Sequence, residues 1–384
     1  MSSTMILPPA TLGMLGGGQL GRFFVTAAHE MGYQVWVLDP DRNSPAGRIA
    51  ERHFCVDYND YAALDEFAQG CAAITTEFEN VPADTLDYLG KFVPVRPSAA
   101  AVAVCQNRIV EKTFLRDNEL PHGPFAAIRS EDDIKSAAAS LFPAILKVAR
   151  FGYDGKGQAT VNNREEALLA FGRFKGEACV LEQRLTLDYE VSVVLARDEH
   201  GHVQCFPTGE NQHTNGILDV SIVPARTSAC VRSDAEEVAA RIAEKLGYIG
   251  TMGVEFFVSR GQLIVNEMAP RPHNSGHYTI DACVTNQFEQ QVRALCGLPL
   301  GEARAHSAAA MVNLLGDLWY DGEHYREPDW AKLYAIPNLK LHLYGKHHAR
   351  PGRKMGHFTV LGEDAAKVQE TALAARAAIG ITDE

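Results

Sequence analysis

Hydrophobic positions in the first hundred residues alternate between short apolar runs and stretches with helical spacing. Thr11–Leu15 is an apolar run, and over residues 19–31 the apolar side chains recur on one helical stripe. Gly32 ends this pattern. Further apolar runs predict strands at residues 34–38, 53–56, 72–75 and 92–95. Strands that are separated by helices predict a parallel sheet with right-handed crossovers.

The pattern changes after Arg96-Pro97-Ser98. A helix is predicted over residues 104–117, and a Pro/Gly break follows at residues 121–124. The later strands read as antiparallel and are predicted at residues 144–148, 158–161, 178–182, 189–196, 253–258 and 263–267, with helices at 165–174, 234–246 and 364–378. We therefore expect an α/β protein of three domains, at residues 1–110, 111–306 and 307–384, with the site in the cleft between them.

Composition narrows the class of protein. A formal net charge of −12 leaves no uniformly basic surface for nucleic acid or an anionic membrane, so a local cluster must meet any anionic substrate. The eight cysteines form no C-x-x-C pair and have no zinc spacing, so we expect reduced thiols. No window approaches the ~18 apolar residues of a membrane span, and the N-terminus has no signal-peptide pattern. These features predict a cytoplasmic enzyme.

A glycine motif, Gly16-x-Gly18-x-x-Gly21, follows the first strand and precedes Asp39 at the end of the next. This arrangement matches the dinucleotide-binding fingerprint, in which a glycine turn lets a phosphate approach the N-terminus of a helix. The motif does not identify the owner of that phosphate. A nicotinamide or flavin cofactor, a substrate phosphate and a purely structural turn all remain open at this point.

A second glycine-rich segment, Gly152-Tyr153-Asp154-Gly155-Lys156-Gly157-Gln158, lies between two predicted strands. Glycines around a lysine favour a flap whose N–H groups close over polyphosphate, although a flexible hairpin turn would have the same composition. The segment lacks the spacing of a P-loop. Lys147, within an apolar strand just before it, needs an anionic partner to offset burial of its charge.

Two carboxylates occupy the predicted strands of a hairpin, Glu255 on the first and Glu267 on the second. If the turn centres on Gly261, these residues face each other directly. Like charges that close require a cation between them, and hard oxygen ligands at a phosphate site favour Mg²⁺. A register shifted by one residue would instead place one Glu in solvent.

Two other segments complete the candidate chemistry. The spacing of the strand exit at residues 182–185 and of Glu190 after it is compatible with backbone contacts to a purine edge and a carboxylate contact to a ribose. A basic cluster at residues 350–354, beside Lys346, is either a solvated turn or an anion-binding site. In a chain of net negative charge we favour the anion-binding site.

The order of these parts resembles the ATP-grasp superfamily over nearly the whole chain. Within it, four motifs look like those of the N5-carboxyaminoimidazole ribonucleotide synthetases, the ATP-dependent carboxylases of purine synthesis. The motifs are GGGQLG at residues 16–21, TEFENVP at 76–82, MAPRPHNSG at 268–276, and YGK at 344–346 with RPGRKMGH at 350–357. The resemblance implies an ATP-grasp fold with an N-terminal Rossmann-like domain, similar to that of biotin carboxylase, and a small β-rich C-terminal domain.

The resemblance also implies roles for individual residues. Those that would hold ATP are Arg108, Lys147, Gly152, Tyr153, Asp154, Gly155, Lys156, Gly157, Gln158, Glu182, Gln183, Arg184, Leu185, Glu190, His213, Asn266 and Glu267. Glu255 and Glu267 would hold Mg²⁺. Many ATP-grasp enzymes have an Asn two residues after the second acid, where this chain has Ala269, so it lacks the third ligand that the family pattern gives to a second metal ion.

The implied substrate is aminoimidazole ribonucleotide, with bicarbonate as co-substrate. Residues that would bind the ribonucleotide are Gln19, Leu20, Glu79, Asn274, Lys346, Arg353 and Lys354. ATP would phosphorylate bicarbonate to carboxyphosphate, whose breakdown carboxylates the exocyclic amine of the substrate. The candidate catalytic residues are Tyr153, Asp154, Arg271, His273 and Lys346. The resemblance further implies a homodimer.

Three other functions compete with this one. A dehydrogenase would explain the first glycine motif and Asp39 but not the flap, the paired acids or the basic cluster. A formate-using transformylase of the same superfamily also acts on a phosphoribosyl amine, but residues 77–80 and 346–357 favour the carboxylase. A non-catalytic ATP-binding regulator would not require intact Lys147, Glu255 and Glu267.

Overall fold

The computed structural model describes residues 5–150 and 157–381. The first part of the chain folds around a four-stranded parallel sheet, in the order β3-β2-β1-β4. Its elements are β1 (Thr11–Leu15), α1 (Gln19–Glu30), β2 (Gln34–Leu38), β3 (Arg52–Phe54), α2 (Tyr61–Gly70), β4 (Ala73–Thr76), α3 (Ala83–Leu89) and α4 (Ala99–Cys105). The predicted parallel sheet is confirmed.

Two sequence predictions in this part of the chain are wrong. The helix predicted over residues 104–117 is two helices, α4 and α5 (Arg108–Asp117), because Asn107 breaks it. The side chain of Asn107 accepts a hydrogen bond from the N–H of Ile109 and so caps α5. The strand predicted over residues 92–95 does not form within the described residues, where Val95 makes an isolated bridge to Ile74.

The second part of the chain contains antiparallel strands, as predicted. A four-stranded sheet has the order β5-β8-β6-β7. Its elements, with the helices beside it, are β5 (Phe125–Ile128), α6 (Glu131–Ser136), β6 (Ala144–Val148), β7 (Gln158–Val161), α7 (Arg164–Arg173) and β8 (Cys179–Gln183). The apolar faces of α6 and α7 cover one side of this sheet around Leu146 and Leu181.

A larger, nine-stranded sheet follows, in the order β14-β13-β9-β11-β12-β15-β19-β18, with β10 paired to β9. From the second part come β9 (Tyr189–Arg197), β10 (Val203–Cys205), β11 (Gly209–Thr214), β12 (Ile217–Val223), α8 (Ala229–Lys245), β13 (Gly250–Ser259), β14 (Gln262–Ala269), α9 (Thr279–Ala282) and α10 (Gln287–Leu295). The strands β5, β10, β11 and β12 and the helices α6, α9 and α10 were not predicted.

The last part of the chain adds its strands to the same sheet. Its elements are β15 (Ala308–Leu315), β16 (Tyr320–Asp321), β17 (His324–Tyr325), α11 (Ala331–Tyr334), β18 (Leu339–Leu343), β19 (Lys354–Gly362) and α12 (Ala365–Ala378). β15 pairs with β12 through the register Val220↔Val312, so the ladder is continuous between the two parts. Helix α10 packs against α1, where Phe288 lies 5.1 Å from Phe23 between ring centroids. These contacts bring all three parts around one cleft.

Candidate active site

A cavity of about 490 Å³ lies where the three parts of the chain meet. It is bounded by the N-terminus of α1, by α5 and β6, by the β13–β14 hairpin, and by the start of β19. Sixteen of the predicted site residues line it: Gln19, Leu20, Glu79, Arg108, Lys147, Gly157, Gln158, Glu190, His213, Glu255, Asn266, Glu267, Arg271, His273, Asn274 and Lys354. The fold therefore gathers residues that lie up to 335 positions apart in the sequence.

Other predicted residues do not line this cavity. Glu182, Gln183, Arg184, Leu185, Lys346 and Arg353 lie beyond its walls, and Gly152, Tyr153, Asp154, Gly155 and Lys156 lie outside the described residues. The backbone N–H of Gln183 donates to Pro124 and that of Arg184 donates to Pro143. These two N–H groups are therefore already hydrogen-bonded, and a purine ring would have to bind other backbone groups of residues 182–185.

The paired acids of the hairpin face each other, which confirms the sequence prediction. Ser259 pairs with Gln262 and Phe256 with Val265, but the register then shifts so that Glu255 pairs with Glu267. The extra residue is Asn266. Without this bulge Glu255 would oppose Asn266, and Glu267 would turn to the other face of the sheet. Asn266 and Glu267 both line the cavity.

The two carboxylates differ in their electrostatic surroundings. Burial raises the pKa of Glu255 to about 7, because few cations compensate its charge. Burial acts on Glu267 in the same direction, but Arg108, Arg271 and Lys147 outweigh it and hold the pKa of Glu267 below its ordinary value. Arg108 Nη2 lies 3.2 Å from Glu267 Oε2. Glu267 is therefore ionised at neutral pH.

The partner that Lys147 was expected to need is Glu182. Lys147 Nζ lies 3.2 Å from Glu182 Oε1, and Lys112 Nζ lies 3.5 Å from Glu182 Oε2. Burial lowers the pKa of Lys147, whereas the two lysines outweigh burial at Glu182 and bring its pKa to about 2. Sequence reasoning missed Lys112. Its position four residues after Arg108, on the same helix face, was the available signal.

Two histidines flank Glu255, and their pKa values are shifted in opposite directions. His213 lies 3.1 Å from Glu190 and 4.0 Å from Glu255, and although burial opposes it, these carboxylates raise the pKa of His213. His273 Nε2 lies 3.8 Å from Glu255 Oε1. Burial, together with Arg271 and Lys354, lowers the pKa of His273 to about 3, so its ring is neutral near pH 7.

The orientation of His273 is fixed by hydrogen bonds. Its Nδ1 accepts the N–H of Ser275 at 3.3 Å and lies 2.8 Å from Ser275 Oγ, which itself accepts a bond from Ser192. Its backbone N–H and C=O both bind the side-chain amide of Gln287. Because Nδ1 accepts, the neutral ring carries its proton on Nε2 and presents a donor toward the cavity.

Arg271 and Glu79 form an ion pair across the domain boundary. Arg271 Nε donates to Glu79 Oε2, and the two side chains are 17% and 27% exposed. Burial alone would raise the pKa of Glu79, but the Arg271 guanidinium holds it below its ordinary value. The always-charged Arg271 thus keeps Glu79 ionised at neutral pH.

The first glycine motif accommodates carboxylates of this chain. Gly17 N–H donates to Asp39 at 2.7 Å, and Glu77 accepts from Gly18 at 2.5 Å and from Gly21 at 2.9 Å. A Cβ on Gly18 would lie 2.5 Å from Glu77 Oε1. The glycines therefore allow Glu77 to approach, and Asp39 is not available for a ribose. Sequence reasoning did not assign a site role to Glu77, although it belongs to the TEFENVP motif.

The N–H groups of Gln19 and Leu20 begin helix α1 and border the cavity. No described side chain accepts a hydrogen bond from either N–H, so a ligand anion can bind there. Lys346 Nζ donates to Gln19 Oε1 and to the carbonyl of Lys354 at 2.6 Å, which places it behind this helix terminus. Arg353 is turned to the carbonyl of His348 at 2.8 Å.

Asn274, predicted to touch the substrate base, forms a reciprocal amide pair with Asn313. The two side chains exchange hydrogen bonds of 3.0 and 2.7 Å, and Asn313 also donates to the carbonyl of Leu218. Asn313 was not predicted. The pair fixes the amide orientation of Asn274 at the cavity wall.

Asp281, His342 and His357 form a second group with metal-ligand chemistry, outside the cavity. Their candidate ligand atoms lie within 4.8 Å of one another. The rings of His342 and His357 are stacked, however, with centroids 4.7 Å apart and planes inclined by 21°. A metal ion lies in the plane of each imidazole that binds it, and two nearly parallel planes do not meet between these ligands. We therefore interpret the group as packed histidines.

Because these histidines are buried, we expect the stability of the protein to depend on pH. Burial lowers the pKa of His357 well below its ordinary value, and His277, 4.9 Å away between ring centroids, behaves alike. Each is neutral in the folded state but titrates near 6.5 when unfolded, so its contribution to stability is present above pH 6.5 and is lost as the pH falls. Acidification from pH 7.5 to 5.5 costs about 1.4 kcal/mol per such histidine.

The His357→Phe variant measures this effect. We expect its free energy of unfolding, from urea titrations at pH 7.5 and 5.5, to fall by about 1.4 kcal/mol less than that of the unmodified chain. Exposed His200 provides the control, because its replacement by Phe should leave the pH dependence unchanged. Equal pH dependence in the unmodified chain and H357F would show that His357 is protonated in the folded state.

Comparison with known proteins matches every part of this architecture. Residues 9–106 match the ribonucleotide synthetase preATP-grasp domain, 113–288 the ATP-grasp domain, and 309–371 the phosphoribosylaminoimidazole carboxylase C-terminal domain. The N5-carboxyaminoimidazole ribonucleotide synthase of Bacillus subtilis is 40% identical over 363 residues, which are 94% of each chain. That of Brucella melitensis is 42% identical over 366 residues, which are 94% of this chain and 98% of the relative. The chain belongs to the N5-carboxyaminoimidazole ribonucleotide synthase family.

Solved structures agree. The ADP complex of an N5-carboxyaminoimidazole ribonucleotide synthetase superposes with a TM-score of 0.90 at 37% identity, covering 97% of this chain and 98% of that chain. The Aspergillus clavatus synthase in complex with ADP and 5-aminoimidazole ribonucleotide has a TM-score of 0.87 at 29% identity, covering 96% and 98%.

Membership of this synthase family makes the chain an ATP-dependent ligase of purine biosynthesis. The dehydrogenase hypothesis is excluded, because the backbone N–H groups of the glycine motif donate to Asp39 and Glu77 and not to a cofactor phosphate. The family match favours the carboxylase over the transformylase and over a non-catalytic regulator. Within the part of the chain that the structure describes, no helix has the length and apolarity to cross a membrane.

Proposed function

We propose that this synthase uses ATP and bicarbonate to carboxylate 5-aminoimidazole ribonucleotide on its exocyclic amine. One observation carries the proposal: a single cavity joins the paired acids of the hairpin to the N-terminus of α1. The nucleotide triphosphate would bind at the first and the ribonucleotide phosphate at the second. The transferred group would then arise between them, beside Arg271 and His273.

Two substrate sites follow from this arrangement. ATP would contact Arg108, Lys147, Glu190, His213 and Asn266, with residues 152–158 and 182–185 completing its site. The ribonucleotide phosphate would accept hydrogen bonds from the N–H groups of Gln19 and Leu20. Lys346, Lys354 and Arg353 would add positive charge, and Glu79 and Asn274 would contact the sugar and the base.

Mg²⁺ fits the hairpin. Glu255 and Glu267 oppose each other at the wall of the cavity, where a cation would compensate the charge of Glu255, whose pKa is raised by burial and further by the nearby Glu267. The side-chain amide oxygen of Asn266, which also lines the cavity, is a further candidate ligand for the ion. When bound, the ion would neutralise charge on the phosphates during phosphoryl transfer.

The reaction would proceed in two stages. An oxygen of bicarbonate attacks the γ-phosphorus of ATP, the bond to the β-phosphate oxygen breaks, and carboxyphosphate and ADP form. Carboxyphosphate then loses phosphate to release CO₂, and the substrate amine forms a C–N bond to that carbon while its proton passes to the released phosphate. Arg271 and the Nε2–H of His273 would hold the bicarbonate oxygens. Tyr153 and Asp154 would close over them and exclude water.

The test is ADP release with Mg²⁺, ATP and bicarbonate, measured with and without aminoimidazole ribonucleotide. A strong dependence on the ribonucleotide supports the proposal. Release that depends on formate and glycinamide ribonucleotide would assign the chain to transformylase chemistry, and no turnover with either set would contradict an enzymatic role. Sedimentation equilibrium tests the implied homodimer, whose mass would be twice the 41.9 kDa of the chain.

Replacing Lys346 by Met is expected to raise KM for the ribonucleotide about 10- to 100-fold, because a hydrogen bond to a charged group contributes about 1.5–3 kcal/mol. The variant removes the ammonium behind Gln19 and keeps the length of the side chain. Initial rates over a range of ribonucleotide concentrations measure the effect. The matched control is Lys340→Met on β18, on an exposed position of the same part of the chain. A KM that is equal in both variants would remove Lys346 from the phosphate site.

A further inference from the structure

Strand β14, which carries Glu267, is at the edge of the large sheet. One side of the strand pairs with β13. On its outer side Val265 forms an isolated bridge to His122, and its N–H donates to the carbonyl of Pro121 at 3.0 Å. Backbone groups at a buried sheet edge need partners from elsewhere in the fold. The bulge at Asn266 adds to this need, because a bulge locally disrupts the ladder.

Two consecutive residues of α5 supply partners for the groups that this bridge leaves over. Glu111 Oε1 accepts the N–H of Met268 at 2.6 Å. Lys112 Nζ donates to the carbonyl of Asn266 at 2.8 Å and to that of Val265 at 3.3 Å. The carboxylate and the ammonium thus bind backbone groups on both sides of Glu267.

The environment of the two side chains is unusual for charged residues. Glu111 is 1% exposed and Lys112 is 2% exposed, whereas such residues are almost never fully buried without a specific partner. Arg108, one turn earlier on α5, contacts the carboxylate of Glu267 itself. Lys112 also contacts Glu182, whose other oxygen faces Lys147. One helix face therefore reaches both the paired acids and the lysine of the nucleotide site.

We propose that Glu111 and Lys112 are positioning residues, which hold the bulged segment 265–268 so that Glu267 is directed into the cavity beside Glu255. The inference rests on the proposed role of Glu267 as a ligand of Mg²⁺. A one-residue slip of β14 would return Glu267 to the opposite face of the sheet, and the contacts of Glu111 and Lys112 oppose that slip. Neither residue contacts the cavity, so neither is a catalytic residue.

Three variants test the proposal. Lys112→Met removes the donor to two carbonyls, and Glu111→Leu removes the acceptor for Met268 N–H. Glu111→Gln keeps an oxygen that accepts this bond and is the conservative control. Lys135→Met, at an exposed lysine of α6, controls for the loss of a lysine elsewhere. Calorimetry measures the affinity for ADP with and without Mg²⁺, and hydrogen exchange measures protection of residues 265–268.

We expect the Mg²⁺-dependent gain in ADP affinity to fall about 10- to 100-fold in K112M and E111L, the range found when residues that orient metal ligands are removed. Metal-free ADP affinity should change much less, and protection at residues 265–268 should decrease. E111Q and K135M should resemble the unmodified chain. A merely structural role would lower thermal stability without changing the Mg²⁺ increment.

The outcomes separate this inference from the proposed function. No Mg²⁺ increment in the unmodified chain would contradict the metal site itself. An increment that Glu267→Gln abolishes, and that folded K112M and E111L retain, would overturn only the positioning role. If K112M does not fold, the comparison of E111L with E111Q decides. If E111L also fails to fold while E111Q folds normally, the two residues act on stability alone, and the proposal is wrong.

Discussion

Glu267→Gln is expected to reduce ribonucleotide-dependent ADP release by about 10³-fold, because a metal ion contributes several kcal/mol of charge stabilisation to such a transition state. The substitution keeps the size of the side chain but removes the charge that Arg108 and Arg271 maintain. Initial rates over a Mg²⁺ titration measure the effect. The variant should retain its fold, since the amide can still accept a bond from Arg108.

A second measurement shows that the loss arises at the metal. Adding Mg²⁺ in the presence of ADP should raise the melting temperature of the unmodified chain and have little effect on that of E267Q, since a ligand stabilises only the state that binds it. Glu302→Gln is the matched control, at an exposed residue paired with Arg304. Full turnover by E267Q at ordinary Mg²⁺ concentrations would remove Glu267 from the metal site.

The second large effect is expected at Arg271. Arg271→Met leaves Glu79, whose side chain is 27% exposed, without its ion-pair partner. Breaking a fully buried pair costs about 3–5 kcal/mol, so we expect this half-buried one to cost about 2 kcal/mol of stability. The same variant removes the cation proposed to hold bicarbonate, so kcat should fall about 10²- to 10³-fold, as when an oxyanion donor is lost. Urea unfolding and ADP release measure the two effects on one preparation.

A double variant separates stability from catalysis. Adding Glu79→Gln to Arg271→Met removes the uncompensated charge, so most of the lost stability should return, while activity should stay well below that of Glu79→Gln alone. Arg304→Met, at an exposed arginine, should change neither quantity. Recovery of activity in the double variant would mean that Arg271 acts only by neutralising Glu79.

The hairpin shows what local sequence information can predict. Equal distances from Gly261 predicted that Glu255 and Glu267 face each other, and they do. The turn, however, consists of Arg260 and Gly261, so the pairing depends on the extra residue at the bulge, which the sequence did not reveal. Sequence reasoning could not predict the contacts that Lys112 of α5 and Glu79 of the first part of the chain make with the hairpin and the segment after it. They join residues more than 150 positions apart, and neither periodicity nor motif spacing encodes such distances.

The glycine motif shows the converse limitation. Its pattern predicts a turn that a phosphate can approach, and the turn forms, but Glu77 binds the N–H of Gly18 from 59 residues away. A carboxylate oxygen and a phosphate oxygen both accept a hydrogen bond from a backbone N–H, so the motif alone does not distinguish the two groups. The break at Asn107 was predictable, since Asn before a helical run is a standard N-cap. The long apolar stretch around it concealed the signal.

The continuous ladder between β12 and β15 has a consequence for the evolution of this architecture. Deleting the chain after residue 306 would expose the edge of β12, a row of unpaired backbone groups that invites aggregation. The C-terminal part is therefore not a detachable module that could be lost or exchanged through a linker. Any descendant with a different C-terminal part would have to inherit a strand that pairs with residues 220–223, so recombination at this boundary is restricted to parts that supply that strand.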